Sequence, residues 1–181
     1  MYGASIEWTG ALVSRVTKQL IGKFILENIF NPLGMTSSNY DPQNHPEISS
    51  RLLQMVWRDG DRLLPAENQV IGLVSSVPDL CALLADLMSS SSKLLKKEHL
   101  DLLFEPQFAH GSPSLSYIRS GTGNYAAPVG VPISMKEPPI NHTLAALVVE
   151  GELPLSHMPA GTVTWNGMPN LIWAMHREKG L

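Results

Sequence analysis

Apolar residues recur at helical spacing in the first part of the chain. Over residues 5–16 their spacing predicts a helix with Ser5 as its N-cap. A second helix is predicted over residues 18–29. The segment Asn31-Pro32-Leu33-Gly34-Met35 should end it, because proline interrupts a helix and glycine permits a tight turn. The polar residues 39–50 contain two prolines and are predicted to form a loop.

A hairpin is predicted next, because Asp59-Gly60 favours a tight β-turn between residues 51–58 and residues 62–64. A helix should follow from Pro78 to about Met88, since proline suits the first turn of a helix.

Further along the chain, residues 96–104 are predicted to form another helix. The glycine-, proline- and serine-rich residues 105–138 are predicted to form long loops with at most short elements. Cys81 falls within the apolar pattern of the helix that begins at Pro78. It is therefore predicted to be a buried thiol, because free cysteine packs as a small hydrophobic side chain.

Strand-like patterns dominate the carboxyl-terminal part. Residues 143–150 are almost entirely apolar and predict one strand. Thr162–Trp165 and Leu171–Arg177 predict two more strands, joined by Asn166-Gly167-Met168-Pro169-Asn170, since Asn-Gly tolerates positive φ. Both alternating sets of the last strand are largely apolar, which predicts cover on both of its faces.

Helices followed by consecutive strands favour an α+β fold with an antiparallel sheet. We expect one partial domain, with a helical and loop region over residues 1–138 that includes a hairpin near 51–64, and sheet strands over residues 139–181. A turn at Glu178-Lys179-Gly180 would lead towards a further strand, so the fold is predicted to be incomplete at this end.

Composition excludes several classes of protein. Apolar residues make up 44% of the chain and charged residues 16%, which is typical of a globular protein. A net charge of −3 gives no reason to expect nucleic acid or an anionic membrane as a partner. With no signal-peptide pattern and no apolar run of about 18–20 residues, a soluble cytoplasmic protein is predicted.

The residues by themselves form no complete catalytic constellation. The six histidines lack the spacing of a metal site and no glycine-rich phosphate loop is present, so neither metal nor cofactor is expected. Ser90 and Lys93 have the Ser-x-x-Lys spacing of an activated serine, but they lie in a polar run that is predicted to be a solvated loop. Asn141-His142-Thr143 matches a glycosylation sequon at a predicted strand and is interpreted as a chance match.

Four segments, in chain order, resemble those of the β-lactamase-related serine esterases and acyltransferases. They are Tyr2–Gly10, Asn31–Met35, Gly72–Leu80 and Trp165–Asn170. The resemblance covers nearly the whole chain and is strongest to the fungal transesterases that acylate polyketides such as statin precursors. It implies a β-lactamase/transpeptidase-like fold and serine acyl transfer or ester hydrolysis in secondary metabolism. The substrate would be a small-molecule ester or thioester, free or bound to a carrier protein.

The resemblance also implies roles for individual residues. Such enzymes combine a Ser-x-x-Lys helix, a proton-relay tyrosine and a Lys-Thr-Gly or Trp-x-Gly box beside the site. Tyr2 matches the relay tyrosine, and Trp165-Asn166-Gly167 matches the third box, with the Met168 N–H as oxyanion donor. Two plainer interpretations stay open: Trp165 as a core aromatic and Asn166-Gly167 as a turn only.

The chain also departs from the family pattern. In this family the Ser-x-x-Lys helix precedes the tyrosine, whereas only Met1 precedes Tyr2 here. We therefore expect a fragment that is catalytically silent alone, and whether the chain is an enzyme is left open. The alternative is a non-catalytic remnant or pseudoenzyme that binds acyl ligands or a protein partner.

Overall fold

A computed structural model describes residues 4–66, 72–120, 130–132, 134–167 and 171–180. The chain divides into two units, residues 1–85 and residues 86–181. The described residues combine helices with antiparallel strands, which confirms the α+β class. The expectation of a single partial domain stays a prediction.

The first unit begins with helix α1, Ser5–Thr17, as predicted. Its N-cap is Ala4, which makes no side-chain capping bond, so the prediction of Ser5 as the N-cap is wrong. Lys18 adopts a left-handed conformation with φ of 55° and ends the helix. This conformation delays the start of the second helix to Ile21.

The second helix passes through its proline instead of stopping before it. Helix α2, Ile21–Ile25, continues as a π-helical turn, Leu26–Phe30, and then as helix α3, Asn31–Leu33. The Asn31 N–H donates five residues back, to the carbonyl of Leu26, so the register shifts just ahead of Pro32, which has no N–H to donate. The helix ends where glycine allows it, at Gly34 with φ of 70°.

The predicted loop over residues 39–50 contains two short helical turns, so that prediction is wrong in part. A 3₁₀ turn spans Pro42–Asn44, and helix α4 spans Pro46–Ser49. Each begins with a proline, which fits the first turn of a helix because the N–H there needs no partner.

The predicted hairpin is confirmed, with a shorter first strand. Strand β1, Val56–Asp59, pairs antiparallel with strand β2, Arg62–Pro65. Gly60 takes the positive φ of 58° that the tight turn between them requires.

A buried carboxylate lies at the start of the next helix, α5, Val77–Met88, which is also confirmed. Asp79 is 8% exposed and accepts hydrogen bonds from the Ser37 N–H at 2.8 Å and the Ser38 hydroxyl at 2.7 Å. The Ser38 hydroxyl lies 2.7 Å from that of Ser75. Asp79 thereby anchors residues 37–38 to the first turn of α5.

Cys81 lies on the same helix but is exposed. The prediction of a buried thiol is therefore wrong. Apolar spacing identifies a helix but does not establish that its neighbours cover the side chain of every apolar position.

In the second unit, helix α6 spans Lys97–Leu102 and is shorter than predicted. Helix α7, Pro113–Arg119, is a short element within the region that was predicted to form long loops with at most short elements. The Ser112 hydroxyl accepts a hydrogen bond from the Leu115 N–H at 3.2 Å and so caps α7, with Pro113 in its first turn.

The sheet of the second unit has four antiparallel strands in the order β3-β4-β5-β6. Their bounds are Ile140–His142 for β3, Leu147–Val149 for β4, Val163–Asn166 for β5 and Ile172–Met175 for β6. The two strands predicted at 162–165 and 171–177 are thus confirmed, with small shifts of their ends.

The single strand predicted over residues 143–150 is instead a turn followed by β4. The Thr143 hydroxyl accepts from the N–H groups of Ala145 and Ala146, at 3.0 and 3.1 Å, and turns the chain between β3 and β4. Strand β6 was predicted to be covered on both faces, but Leu171 and Ile172 are 64% and 52% exposed. The prediction of cover on both faces is therefore wrong for this end of the strand.

The core of the second unit lies between α7 and one face of the sheet. Its buried members are Ile118, Val131, Ile140, Leu147, Val149 and Leu153. Three half-buried side chains, Phe108, Met158 and Trp165, pack against this cluster. Within the described part of the chain, no helix has the length and apolar character needed to cross a membrane.

A charged contact fastens the turn after β6 to α6. Arg177 donates to Asp101 at 2.7 Å, and its guanidinium lies 4.2 Å from the centre of the Phe104 ring. Lys97 also donates to Asp101, at 2.6 Å. The hydrogen bonds from Lys97 and then Arg177 lower the pKa of the Asp101 carboxyl below its usual value.

Replacing Asp79 with alanine should lower the free energy of unfolding by about 2–3 kcal/mol, because two donors lose a charged, buried acceptor. Urea unfolding of the purified chain measures this change. Asp61→Ala is the matched control, since Asp61 is exposed in the hairpin turn, and it should change stability by no more than about 0.5 kcal/mol. Equal effects of the two substitutions would contradict the anchoring role of Asp79.

Candidate functional site

The Trp165-Asn166-Gly167 box lies at the end of strand β5. Asn166 is the last residue of the strand and pairs with Ile172 of β6. The Gly167 N–H donates to the Leu171 carbonyl at 2.9 Å and closes the loop between the strands. This bond occupies the Gly167 N–H, so the box both forms a turn and ends the strand.

Two of the predicted site residues cannot be placed in this geometry. Tyr2 and Met168 lie outside the described residues. Their roles as proton relay and oxyanion donor stay predictions, as do the roles of the three box residues.

The sequence left open whether Trp165 is a core aromatic or part of the catalytic box. Its side chain contacts both the core and a cavity. Strand alternation places it on the same face as Val163, and its half-buried ring packs against the core cluster. It pairs directly across the sheet with Trp173 of β6. The remaining part of the Trp165 side chain lines a cavity.

This cavity has a volume of about 660 Å³, within the range of small-molecule sites. Its lining is mainly apolar and aromatic and consists of Phe108, Pro113, Ser114, Tyr117, Ile118, His142 and Trp165. The lining comes from the segment before α7, from α7 itself and from strands β3 and β5. We call it the Trp165 cavity.

His142 contributes an imidazole to the wall of the Trp165 cavity. Its ring centre lies 5.6 Å from that of Trp165, edge to face, and 6.1 Å from that of Phe108. Its Nδ1 is hydrogen bonded to the Thr143 carbonyl, an oxygen that can only accept. Nδ1 therefore carries a hydrogen, and in the neutral ring the lone pair is on Nε2.

A buried amide positions one wall of the cavity. Asn141 is 1% exposed, and its side chain accepts from the Phe108 N–H at 3.2 Å and donates to the Phe108 carbonyl at 3.0 Å. The amide also donates to Glu150 at 3.1 Å. The Gln107 N–H adds a main-chain bond to the His142 carbonyl at 2.8 Å. A side chain engaged in this way cannot take a glycan in the folded state, which agrees with the chance interpretation of the sequon.

Glu150 extends this network to α7. It forms an ion pair with Arg119, whose Nε also donates to the Ile140 carbonyl at 3.0 Å. Both partners are largely buried, so the pair is shielded from solvent and holds its geometry. The last turn of α7 is thus tied to β3, and the cavity residues Tyr117 and Ile118 are held with it.

Sequence reasoning missed most of this cavity. His142 attracted notice only as part of a sequon, and Phe108 and Tyr117 lay in a predicted loop. The available signal was Ser112-Pro113, a cap and first-turn pair that opens α7. No group of three or more residues in the described ranges could hold a metal ion. Ser90 and Lys93 lie exposed outside any helix, as predicted.

Known proteins resemble the chain over its full length. No protein-family model matches it. The acyltransferase CalJ of Penicillium decumbens is 28% identical over 98% of this chain and 45% of the relative. The monacolin J acid methylbutanoyltransferase of Aspergillus terreus is 24% identical over 100% of the chain and 47% of the relative. The lovastatin esterase of Penicillium rubens is 26% identical over 100% and 48%.

Solved structures agree on the fold. A mutant of simvastatin synthase (LovD) from Aspergillus terreus superposes with a TM-score of 0.85 and 26% identity, covering 99% of this chain and 47% of that chain. The octameric penicillin-binding protein homologue from Pyrococcus abyssi gives a TM-score of 0.62 at 17% identity, over 94% and 34%, which is a likeness of fold alone. The expected penicillin-binding-protein-like fold is confirmed. The chain spans about half the length of the curated relatives it matches.

Replacing Asn141 with alanine should lower the free energy of unfolding by about 2–3 kcal/mol, since the Phe108 N–H and carbonyl and one Glu150 oxygen all lose their partner. The near-ultraviolet circular dichroism of the tryptophans should also weaken, because Trp165 packs beside the Phe108 wall. Gln107→Ala is the control, as Gln107 is exposed and its amide, among the described residues, bonds to the nearby Glu105 carbonyl. The proposed support fails if both variants unfold at the same urea concentration.

Proposed function

We propose, from the premise that this chain is homologous to fungal acyltransferases and shares their penicillin-binding-protein-like fold, that it is part of a serine acyltransferase or esterase. The substrates would be small-molecule esters or thioesters. The observation that carries the proposal is the position of the Trp165-Asn166-Gly167 box, at the end of β5 and beside an apolar cavity.

The proposed reaction proceeds through an acyl-enzyme. A serine hydroxyl attacks the carbonyl carbon of the donor, and its proton passes to the lysine and tyrosine of the site. The bond to the donor alcohol or thiol breaks, and that leaving group takes up the proton. An acceptor alcohol, or water, then attacks the acyl carbonyl, and its proton passes through the same lysine and tyrosine to the serine oxygen. The bond between the acyl group and the serine breaks, and the new ester or acid is released.

In this proposal Tyr2 relays the proton and the Met168 N–H stabilises the oxyanion. Trp165, Asn166 and Gly167 form the strand end that presents Met168. No serine–lysine helix for the nucleophile lies within the described residues, since Ser90 and Lys93 are exposed in a loop. We therefore infer that these 181 residues are inactive by themselves.

The relatives include both an acyltransferase and an esterase, which supports transfer and hydrolysis equally. The proposed donors include an acyl thioester of a carrier protein, because a thioester carbonyl is attacked in the same way. A non-catalytic protein that binds acyl ligands is the second candidate. The apolar lining of the Trp165 cavity favours it, since binding of an apolar ligand needs no nucleophile.

The 181-residue chain should not hydrolyse p-nitrophenyl butyrate above the uncatalysed rate, because no activated serine lies among the residues that the structure describes. Absorbance of released p-nitrophenolate is the measurement. Turnover that disappears in a Tyr2→Phe variant would contradict this expectation and would place the nucleophile within the chain.

When the chain is joined to a preceding Ser-x-x-Lys segment, ester turnover should appear, and Tyr2→Phe should then lower kcat about 10²- to 10⁴-fold, as expected for loss of proton transfer. Tyr40→Phe is the control, because Tyr40 packs beside Gly22 in the first unit and belongs to none of the segments that match the family. A Tyr2→Phe rate equal to that of the control would remove the relay assignment. No turnover in the joined protein would favour the binding protein.

A further inference from the structure

We propose that a second cavity of the second unit binds an apolar amino acid in its zwitterionic form. Arg119 and Lys136 would hold the carboxylate of the ligand, and Glu137 would hold its ammonium group. This cavity is distinct from the Trp165 cavity. The inference therefore goes beyond the proposed function and does not depend on it.

The second cavity lies between helix α7 and the segment 134–137. Its volume is about 740 Å³, which is ample for a small molecule. Leu115 and Arg119 line it, and their spacing of four residues places them on one face of α7. Tyr117 and Ile118, which line the Trp165 cavity, lie on the opposite face of that helix. We call the second cavity the Arg119 cavity.

Arg119 presents a fixed hydrogen-bond donor to the Arg119 cavity. Its Nε donates to the Ile140 carbonyl and its Nη2 to Glu150, and its side chain is 19% exposed. These two bonds fix the plane of the guanidinium, and with it the direction of the Nη1 N–H groups. Among the described residues, Nη1 has no partner and is not buried, so it can donate to a ligand. A carboxylate oxygen is charged and forms a strong bond with such a donor.

Two unpaired charges of opposite sign complete the site. Lys136 and Glu137 both line the Arg119 cavity and are exposed. Although they are neighbours in the chain, no ion pair joins them, and neither forms one with another of the described residues. Because Glu150 already balances the charge of Arg119, the unpaired charges of the lining cancel. A zwitterion matches them, whereas Glu137 would repel a simple anion and Lys136 a simple cation.

The backbone at Glu137 adopts a left-handed conformation, with φ of 49°. Residues other than glycine rarely adopt this conformation, because the Cβ atom crowds the carbonyl oxygen, and it therefore costs free energy. Outliers of this kind are concentrated where a structure holds a residue for a ligand. At Glu137 the outlier coincides with an unpaired carboxylate in the wall of a cavity, which supports a binding role.

The rest of the lining suits the apolar side chain of an amino acid. Leu115 is buried and Met135 is half-buried, and both supply apolar contact surface to the Arg119 cavity. The hydroxyls of Ser116 and Ser134 also belong to the lining and can bond to either end of a zwitterion, since a hydroxyl both donates and accepts. An amino acid with a medium-sized apolar side chain, such as leucine, fits this lining.

Three probes with one carbon skeleton test the match of charges without any substitution. Leucine carries both charged groups, 4-methylpentanoate lacks the ammonium group, and 3-methylbutylamine lacks the carboxylate. With the ¹⁵N-labelled chain at neutral pH and low ionic strength, NMR titration should show leucine binding about two- to fivefold more tightly than either analogue. The amide resonances that shift should be those of residues 115–120 and 134–137.

Two substitutions assign the contacts to individual residues. Lys136→Gln should weaken the binding of leucine and of 4-methylpentanoate about two- to fivefold, but not that of 3-methylbutylamine, because only a carboxylate contacts Lys136. Glu137→Gln should weaken the binding of leucine and of 3-methylbutylamine, but not that of 4-methylpentanoate. Lys93→Gln and Glu98→Gln are the matched controls, since both side chains are exposed and lie outside the lining of the cavity. Neither control should change the affinity for leucine.

The inference is overturned if either analogue binds as tightly as leucine, or if leucine shifts no resonance in the two segments. It is also overturned if Lys136→Gln and Glu137→Gln weaken the binding of the same probes, or weaken that of leucine no more than the controls do. None of these measurements involves ester turnover, so the proposed acyltransferase or esterase function is tested separately.

Discussion

The geometry of the second unit depends on the buried amide of Asn141. One planar group pairs with both main-chain polar atoms of Phe108 and with Glu150, in the interior, where water cannot replace a lost partner. Glu150 in turn holds Arg119 of α7. A segment before a helix, the helix itself and two strands are thereby fixed around one polar cluster. The positions of these elements determine where the walls of the cavity lie.

In the resulting site, the polar side chains and the apolar side chains are separated. The polar groups behind the walls are bonded to one another, and the surface that faces the cavity is mostly aromatic and aliphatic. His142 is the exception, because its turn engages only one of its two ring nitrogens. The chain that carries this arrangement is similar to fungal acyltransferases and to an esterase.

Local signals in the sequence identified elements well where a single residue determined the backbone. Gly60 and Gly34 ended their segments at positive φ, as their turns require, and the Thr162–Trp165 and Leu171–Arg177 strands were found from their alternation. The errors occurred where local signals competed. Pro32 suggested a stop, but a π-helical turn shifted the register and let the helix continue to Leu33. An apolar run over residues 143–150 hid a turn made by the Thr143 hydroxyl.

By itself, then, the sequence determined the α+β class through its periodicity. The resemblance of its ordered motifs to a known family predicted the penicillin-binding-protein-like fold, which the comparisons confirm. Only the tertiary structure decided which side chains are covered and which come together. Cys81 is exposed although it lies in the apolar pattern of a helix, and Asn141 is buried although it is polar. Phe108, Tyr117, His142 and Trp165 are far apart in the chain and meet only because α7 packs on the sheet. Such contacts depend on packing between distant elements, and no local pattern of residues specifies them.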